Sequence, residues 1–452
     1  MVSDKSFASV IRANVALLKL SGVVSYKNKN IRQTKSQNVL SAIAYGCLFV
    51  YAILYTYEFA LHTVYLDTWM ESFTMILSLV GGQARFTLVL LFRSRFQRLL
   101  TICEQLWTAL NATEKRCVRD YVKATRRLTY YYLFGCAFTI FFYAVANLFI
   151  HNDSLNETTR TLPYACPIQI HRSPYYEIMY ILQLSSMTNV GLTCVAADTL
   201  GPVLILTICG HFKVLKSRLL CLSNHERVYS EISYSTSAGS LEITHGISRN
   251  CAKSDLEACA HYHQTVLEFC NEVEKLTNGI FLTQLLGSTY NISLVGFKLA
   301  GDDPDKFKYT SQLSIAIIQL FLCNWPADVL LTESQDVARA TYFTSWYRFP
   351  YQLKRSLNII TMRAQKPAQL TAGYIVPLSL PTFASVRTYL HYIYKNVSYL
   401  LIMIISQVIR HYILDGIIRS ILLHHDTQYE LILSMMLTLD RSVLRRKSMR
   451  LC

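Results

Sequence analysis

Few residues in this 452-residue chain have chemical reach, and they are scattered. There is no H-E-x-x-H pair, no Gly-rich phosphate loop, no G-x-S-x-G elbow and no cluster of carboxylates inside an apolar run. Zinc hydrolysis, nucleotide chemistry and serine acyl transfer therefore lack the side chains they need. His261 and His263 stand two apart, which on a helix places them on different faces and argues against a shared metal. The 13 cysteines include no C-x-x-C pair and no metal spacing, so most read as small apolar residues in helices. The chain is not expected to be an enzyme or to carry a cofactor or metal. One residue stands out: Asp198 is the single charge in the 32 residues from Ile178 to Cys209. A carboxylate inside a membrane segment is a functional candidate by default. The alternative is that Asp198 lies near the cytoplasmic end and meets water or a lysine, and its distance from the outer boundary favours that alternative.

The elements around these residues are apolar runs too long for ordinary core helices. The chain is 52% hydrophobic and 16% charged, and about 20 apolar residues suffice to cross a bilayer. Seven such runs are visible, at about 38–58, 70–92, 128–150, 177–212, 279–300, 311–331 and 382–405. They predict an all-α polytopic membrane protein with seven transmembrane helices. Residues 1–37 hold seven Lys/Arg and no compact apolar segment with a cleavage site, so no signal peptide is expected. As one helix, the fourth run would be about 48 Å long, so it has to tilt, bend or leave the bilayer, with Gly201-Pro202 as the natural kink.

A net charge of +15 could suggest nucleic acid, but its placement points elsewhere. The N-terminal segment and the alternate loops on its side of the membrane hold 29 basic residues, against 4 on the other side. The positive-inside rule then puts the N-terminus in the cytoplasm and the end of the seventh helix outside. Asn152-Asp153-Ser154 and Asn156-Glu157-Thr158 are glycosylation sequons in the expected outer loop at 151–176; such short patterns also arise by chance. Cys166 is the one cysteine clearly placed in an outer loop, which gives no support for a disulfide between loops.

Between Tyr229 and Asn250 a Ser/Thr-rich stretch reads as a flexible cytoplasmic loop. Leu256, Cys259, Tyr262, His263, Val266, Phe269, Cys270 and Val273 then recur at three- and four-residue spacing, as in an amphipathic helix. A second such helix, with Leu353, Leu357 and Ile360 on one face, is closed by Pro367. Its apolar face needs a partner, whether membrane surface, its own chain or another subunit.

The run from Arg363 through Gln365-Lys366-Pro367 to Gly373, followed by Pro377-Leu378-Ser379-Leu380 and Thr382-Phe383-Ala384-Ser385-Val386, resembles the C-terminal signature of insect odorant receptors. Tyr175-Tyr176-Glu177-Ile178, Leu215 to Leu219, the helix from His261 to Phe269, and Cys323-Asn324-Trp325-Pro326 through Trp346-Tyr347 look like landmarks of the same family, in order. The general character resembles the receptors of ants, bees and wasps. The resemblance implies a tuning subunit that joins a shared olfactory co-receptor in a heterotetrameric cation channel of the plasma membrane, in the dendrites of olfactory sensory neurons. A small hydrophobic odorant would open that channel. It also implies an odorant pocket in the outer half of the bundle within 38–331, a cytoplasmic anchor at 332–381 behind the segment 1–37, and a pore-lining helix at 382–405. Pocket candidates on that basis are Phe73, Leu77, Phe142, Ala146, Phe149, Met179, Gln183 and Met187. An aromatic or Met stripe is equally what plain bundle packing produces.

The likeness fades after Val386. The chain runs 66 residues further, with no Ala, Pro, Phe or Trp and one Gly. Family members end sooner, so residues 406–452 read as an atypical extension, and for everything after Val386 translated intron or an alternative 3′ end is favoured over a divergent tail. Tyr399 and Ile402 are the nearest pore positions in a segment that no longer matches. A rhodopsin-like receptor would need the opposite topology and its Asp-Arg-Tyr and Asn-Pro-x-x-Tyr motifs. A transporter would show inverted repeats, and a gustatory receptor would lack the run from Arg363 to Gly373. Expected partners are the co-receptor, a hydrophobic odorant and membrane lipid, not nucleic acid.

Overall fold

The computed structural model describes residues 7, 11–20, 66–149, 174–235, 241–300 and 306–385, with six single positions between 39 and 53. The chain divides into two compact units, Met1–Lys395 and Asn396–Cys452. The second lies outside the described residues, as do most of the first and seventh expected spans.

The described part is all-α apart from one two-residue hairpin. It comprises α1 (Arg12–Leu20), α2 (Leu66–Leu91), α3 (Arg93–Thr108), α4 (Ala112–Phe149), α5 (Tyr175–Ser235), α6 (Leu241–Ala300), α7 (Lys306–Phe343) and α8 (Tyr351–Ala364), then β1 (Thr371–Ala372) and β2 (Val376–Pro377). Among the described residues three helices are long and apolar enough to cross a membrane: Tyr175–Leu222, Lys253–Leu299 and Lys306–Phe343. The segments Ile76–Leu91 and Arg93–Thr108, bent by 66°, make a fourth if taken as one span. The expected third span, 128–150, falls on α4.

The long helices do not stop at the bilayer. At 61 and 60 residues, α5 and α6 are about 90 Å long, so each crosses the membrane and continues as a stalk at the end that carries the basic loops. The expected amphipathic helix around Leu256–Val273 is thus the first half of α6, with Leu256, Val266 and Val273 buried as its spacing requires. The polar stretch 229–250 is more helical than expected. Helix continues to Ser235 and resumes at Leu241, with 236–240 outside the described residues. Extending an existing helix costs little once it is nucleated, and 229–235 contains neither Gly nor Pro to stop it.

Two close crossings fix the bundle. A Cβ on Gly201 would lie 2.7 Å from the Phe281 ring, so that α6 side chain packs straight onto the α5 backbone, and one on Gly210 would lie 2.8 Å from the Val118 Cα, so α5 meets α4 nearly backbone to backbone. Helix α1 docks on the same pair through Asn14, whose Nδ2 donates to the hydroxyls of Thr129 (2.9 Å) and Thr199 (3.2 Å). Aromatic and aliphatic side chains left outward, Phe134, Phe141, Ile178 and Ile181 among them, are the surface a bilayer covers.

Candidate ligand site

A cavity of about 180 Å³ lies between α2, α5, α6 and α7. Its walls mix Leu77, Val190, Ile315 and Ala316 with Ser78, Thr283, Gln284, Ser288, Asn291 and Gln319. Room is made by Gly81 on α2 and Gly287 on α6. Both line the cavity, and a Cβ built on either would meet nothing within 4 Å.

The floor is an ion pair with its own hydrogen-bond cage. Arg85 Nη1 lies 2.7 Å from both carboxylate oxygens of Asp198. Tyr132 of α4 donates to Asp198 Oδ2 at 2.7 Å, and Gln319 Nε2 donates to the Tyr132 oxygen at 2.6 Å and to Asp198 Oδ2 at 3.3 Å. Arg85 Nε returns to the Gly81 carbonyl at 3.2 Å. Four helices thus meet on one carboxylate that is 1% exposed. This corrects the expectation that Asp198 meets water or a lysine. Its partner is an arginine from another membrane helix, and the pairing, with every carboxylate oxygen bonded, is what makes a buried charge tolerable.

Of the expected pocket residues, Leu77 lines this cavity. Gln183 is buried elsewhere on α5, and Met179 and Met187 are half-buried on the same helix. Phe142 sits in an aromatic row with Phe138 (4.6 Å between centroids) and Phe307 (6.3 Å) on the outside of α4 and α7. The side chains of Phe73, Ala146 and Phe149 lie outside the described residues, as do Tyr399, Ile402, Asn152 and Asn156. Spacing arguments missed Arg85, Gln284 and Gln319. One signal was available: Arg85 is the lone cation deep in the second run and Asp198 the lone anion in the fourth, and opposite solitary charges in membrane helices look for each other.

Below the floor the helices are pinned by further ion pairs. Lys216 reaches Glu333 at 2.8 Å and Asp336 at 3.4 Å, and Tyr121 donates to Glu333 at 2.8 Å. Arg218 grips Glu114 with two bonds, 2.7 and 3.1 Å, and covers the Tyr262 ring. Burial pushes the Glu114 carboxyl up. The Arg218 bond and the Asn111 backbone N–H outweigh that and hold it below the usual glutamate range.

The Arg363–Gly373 stretch also has a structural task. Helix α8 buries Leu353, Leu357 and Ile360 and shares a 2.8 Å hydroxyl contact between Thr341 and Thr361, so its partner is the chain's own α7. After Pro367 the Ala368 N–H donates to Ser334 Oγ (3.0 Å), and Thr371 donates to Glu274 (2.8 Å) and accepts from Asn278 (3.2 Å). Gly373 and Tyr374, with φ of 64° and 58°, turn the hairpin as in a type I′ turn. The last helix among the described residues then starts at residue 380. Ser379 caps it, accepting from the Thr382 N–H at 3.3 Å. Asn324 and Asp328 of α7 accept the N–H groups of Ser379 (3.2 Å) and Leu380 (3.1 Å). The Asn324-Trp325-Pro326 landmark and the Pro377–Leu380 landmark are two halves of one joint.

Comparison with known proteins places this arrangement. The model of the 7tm odorant receptor family matches residues 65–391, more than half of the chain. The chain is similar to odorant receptor 47a of Drosophila melanogaster, 22% identical over 410 residues that cover 86% of this chain and 98% of that one. It is also similar to odorant receptor 67c of the same species, 26% identical over 215 residues, 47% of this chain and 48% of that one. It thus spans about half the length of some curated relatives it matches and nearly all of others. In fold it is similar to the insect olfactory receptor OR5 of Machilis hrabei, solved with eugenol, at a TM-score of 0.69 and 15% identity over 85% of this chain and 96% of that one. A second structure of OR5 from the same species gives a TM-score of 0.68 at 15% identity, over 87% of this chain and 98% of that one.

Proposed function

The chain belongs to the 7tm odorant receptor family, and on that premise we propose that it is a ligand-tuning subunit of an odorant-gated cation channel. It would assemble with an olfactory co-receptor in the plasma membrane of olfactory sensory dendrites, and a small odorant would seat inside the bundle. The observation that carries this is the cavity between α2, α5, α6 and α7, closed beneath by the caged Arg85–Asp198 pair. A ligand there touches four helices at once. Two of them, α6 and α7, hold the hairpin and the start of the last helix, through Thr371 and through Asn324 and Asp328. Occupancy that shifts α6 against α7 therefore reaches that helix directly, the differential contact a gating ligand needs. The basic end of the bundle is its cytoplasmic face, and residues 332–381 form the anchor.

The test is co-expression with a co-receptor in oocytes under voltage clamp, against a panel of small volatile compounds. Concentration-dependent inward current that needs both chains is expected; current from the co-receptor alone that this chain does not alter would overturn the proposal. A second reading is a non-conducting isoform, favoured by one observation: the family match ends at residue 391. Sequencing antennal transcripts across codons 380–400 separates the two. Messages that replace the segment after Val386 support the isoform, and messages that read straight through support the tail as receptor protein.

A further inference from the structure

Resting on that proposed function, we infer that the cavity takes small neutral carbonyl compounds, and that Arg85 Nη2 donates to the ligand oxygen. Arg85 is 6% exposed and lines the cavity at its floor. Its Nε donates to the Gly81 carbonyl, and its Nη1 lies 2.7 Å from both oxygens of Asp198. That leaves Nη2, with two N–H groups, without a hydrogen-bond partner among the described residues. Nη2 is not sealed off either. Among the described residues the side-chain atoms both unpartnered and closed off are Thr139 Oγ1, His211 Nε2, Gln284 Oε1 and Glu333 Oε2. The small part of Arg85 that stays open therefore includes Nη2, and the open space that Arg85 borders is this cavity. Neighbouring wall groups are turned to protein partners: Ser78 and Asn291 exchange bonds of 3.2 and 3.0 Å, and Thr283 donates to the Gly279 and Ile280 carbonyls.

Free N–H groups facing a cavity favour a ligand that brings an acceptor. A filler without one displaces water from them and leaves them unsatisfied. The charge of Arg85 is already matched by Asp198. A carboxylate ligand would meet a second anion in the same cage and an ammonium ligand a cation, so the ligand is neutral. A carbonyl oxygen suits the guanidinium best, with two lone pairs in one plane and no N–H or O–H of its own to place. An alcohol also accepts, but it adds a donor that needs a partner. Size follows from volume: a cavity of about 150 Å³ accepts a benzene ring, and this one holds about 180 Å³. A six-membered ring carrying one oxygen fits, with its apolar body against Leu77, Val190 and Ile315. The bond would fall on the same guanidinium that ties α2 to α5, so occupancy bears directly on that tie.

The test uses the full chain purified in nanodiscs, with cyclohexanone and methylenecyclohexane, which share a shape and differ in the acceptor. Affinities are read from the rise in melting temperature with concentration. Arg85→Lys keeps the charge opposite Asp198 but gives up the second arm of the fork. It should lower the affinity ratio of ketone to hydrocarbon about tenfold, the size of effect one buried hydrogen bond gives. Gly287→Val, which fills space that nothing occupies, should weaken both compounds alike. On the natural chain the infrared carbonyl band of bound, carbon-13-labelled cyclohexanone should lie below its position in cyclohexane, after subtraction of the free ketone. No binding of either compound, an unshifted band, a ratio unchanged by Arg85→Lys, or binding indifferent to Gly287→Val each overturn the inference. The infrared measurement needs no variant, so an Arg85 substitution that fails to fold leaves the test intact. Currents are recorded separately. Ketone bonded at Arg85 without current sinks the channel proposal alone, whereas odorant-evoked current with an unshifted band sinks this inference alone.

Discussion

Arg85 on α2 and Asp198 on α5 are 113 residues apart in sequence and 2.7 Å apart in space, and their pair is the contact around which α2, α4, α5 and α7 converge. Neither charge has an alternative partner of opposite sign in the cage, since the other two members, Tyr132 and Gln319, are neutral. The pair therefore acts as a registry pin: sliding α2 against α5 by one turn would leave two naked charges in the bundle.

Removing one member should be worse than removing both. Arg85→Met or Asp198→Leu alone is expected to cost about 3–5 kcal/mol, because an uncompensated buried charge remains. The double substitution should recover most of that loss in a melting assay of detergent-solubilised protein. A double variant as unstable as the singles would show that the pair does not act as a unit.

How far this was legible beforehand depends on range. The apolar runs and the basic asymmetry are local patterns, so the all-α membrane architecture and the helix face of Leu353, Leu357 and Ile360 could be read directly. The cavity is not local. It exists because Gly81 and Gly287, 206 residues apart, face one space, and no periodicity reports that. Searching for apolar stripes led to Leu77, which does line the cavity, but also to Phe142 and Met179, which do not, and it passed over the Ser, Thr, Gln and Gly of the walls, residues a hydrophobic pattern treats as gaps. The Arg363–Gly373 signature stood out as a string, but its reasons, a left-handed turn and three side-chain bonds to α6 and α7, appear only in the folded chain.

Close helix packing gives a second prediction. Gly210→Ala puts a methyl 2.8 Å from the Val118 Cα, a backbone atom that cannot move unless α4 and α5 part. A loss of about 1–3 kcal/mol is expected. Gly279→Ala is the control, since its methyl would make an ordinary 3.5 Å contact with Leu88. It should be neutral or stabilising by up to about 1 kcal/mol, alanine being the better helix former. Equal melting temperatures for the two variants would remove the packing explanation.

The Glu114–Arg218 pair predicts a pH dependence. Glu114 has a folded pKa below its ordinary 4.5, so its contribution is complete above that value and is lost as pH falls through the lower folded one. The pair is partly exposed, and solvent screening keeps the effect below about 1 kcal/mol. Glu114→Gln should lower stability at neutral pH by that same amount and flatten the acid limb of a stability profile measured from pH 5 to pH 3; an unaltered acid limb would assign that slope to other carboxylates.

The hairpin supplies the last prediction, because it links the bundle to the start of the final helix. Gly373 adopts φ of 64°, and a Cβ there would lie 2.8 Å from Leu282 Cδ2 on α6. Gly373→Ala therefore carries left-handed strain of about 1–2 kcal/mol and pushes on a side chain of the helix the hairpin docks against. Thr371→Val removes the bonds to Glu274 and Asn278 with little change of shape. Both should loosen 370–380 ahead of the bundle. Hydrogen exchange reads this: the Leu378 N–H, held by the Leu370 carbonyl at 2.9 Å, should exchange faster in both variants while amides of α5 keep their protection. If α5 loosened equally, the hairpin would be part of the global fold and not a separately yielding joint. If neither segment changed, the signature would owe its form to something other than holding α6, α7 and the last helix together.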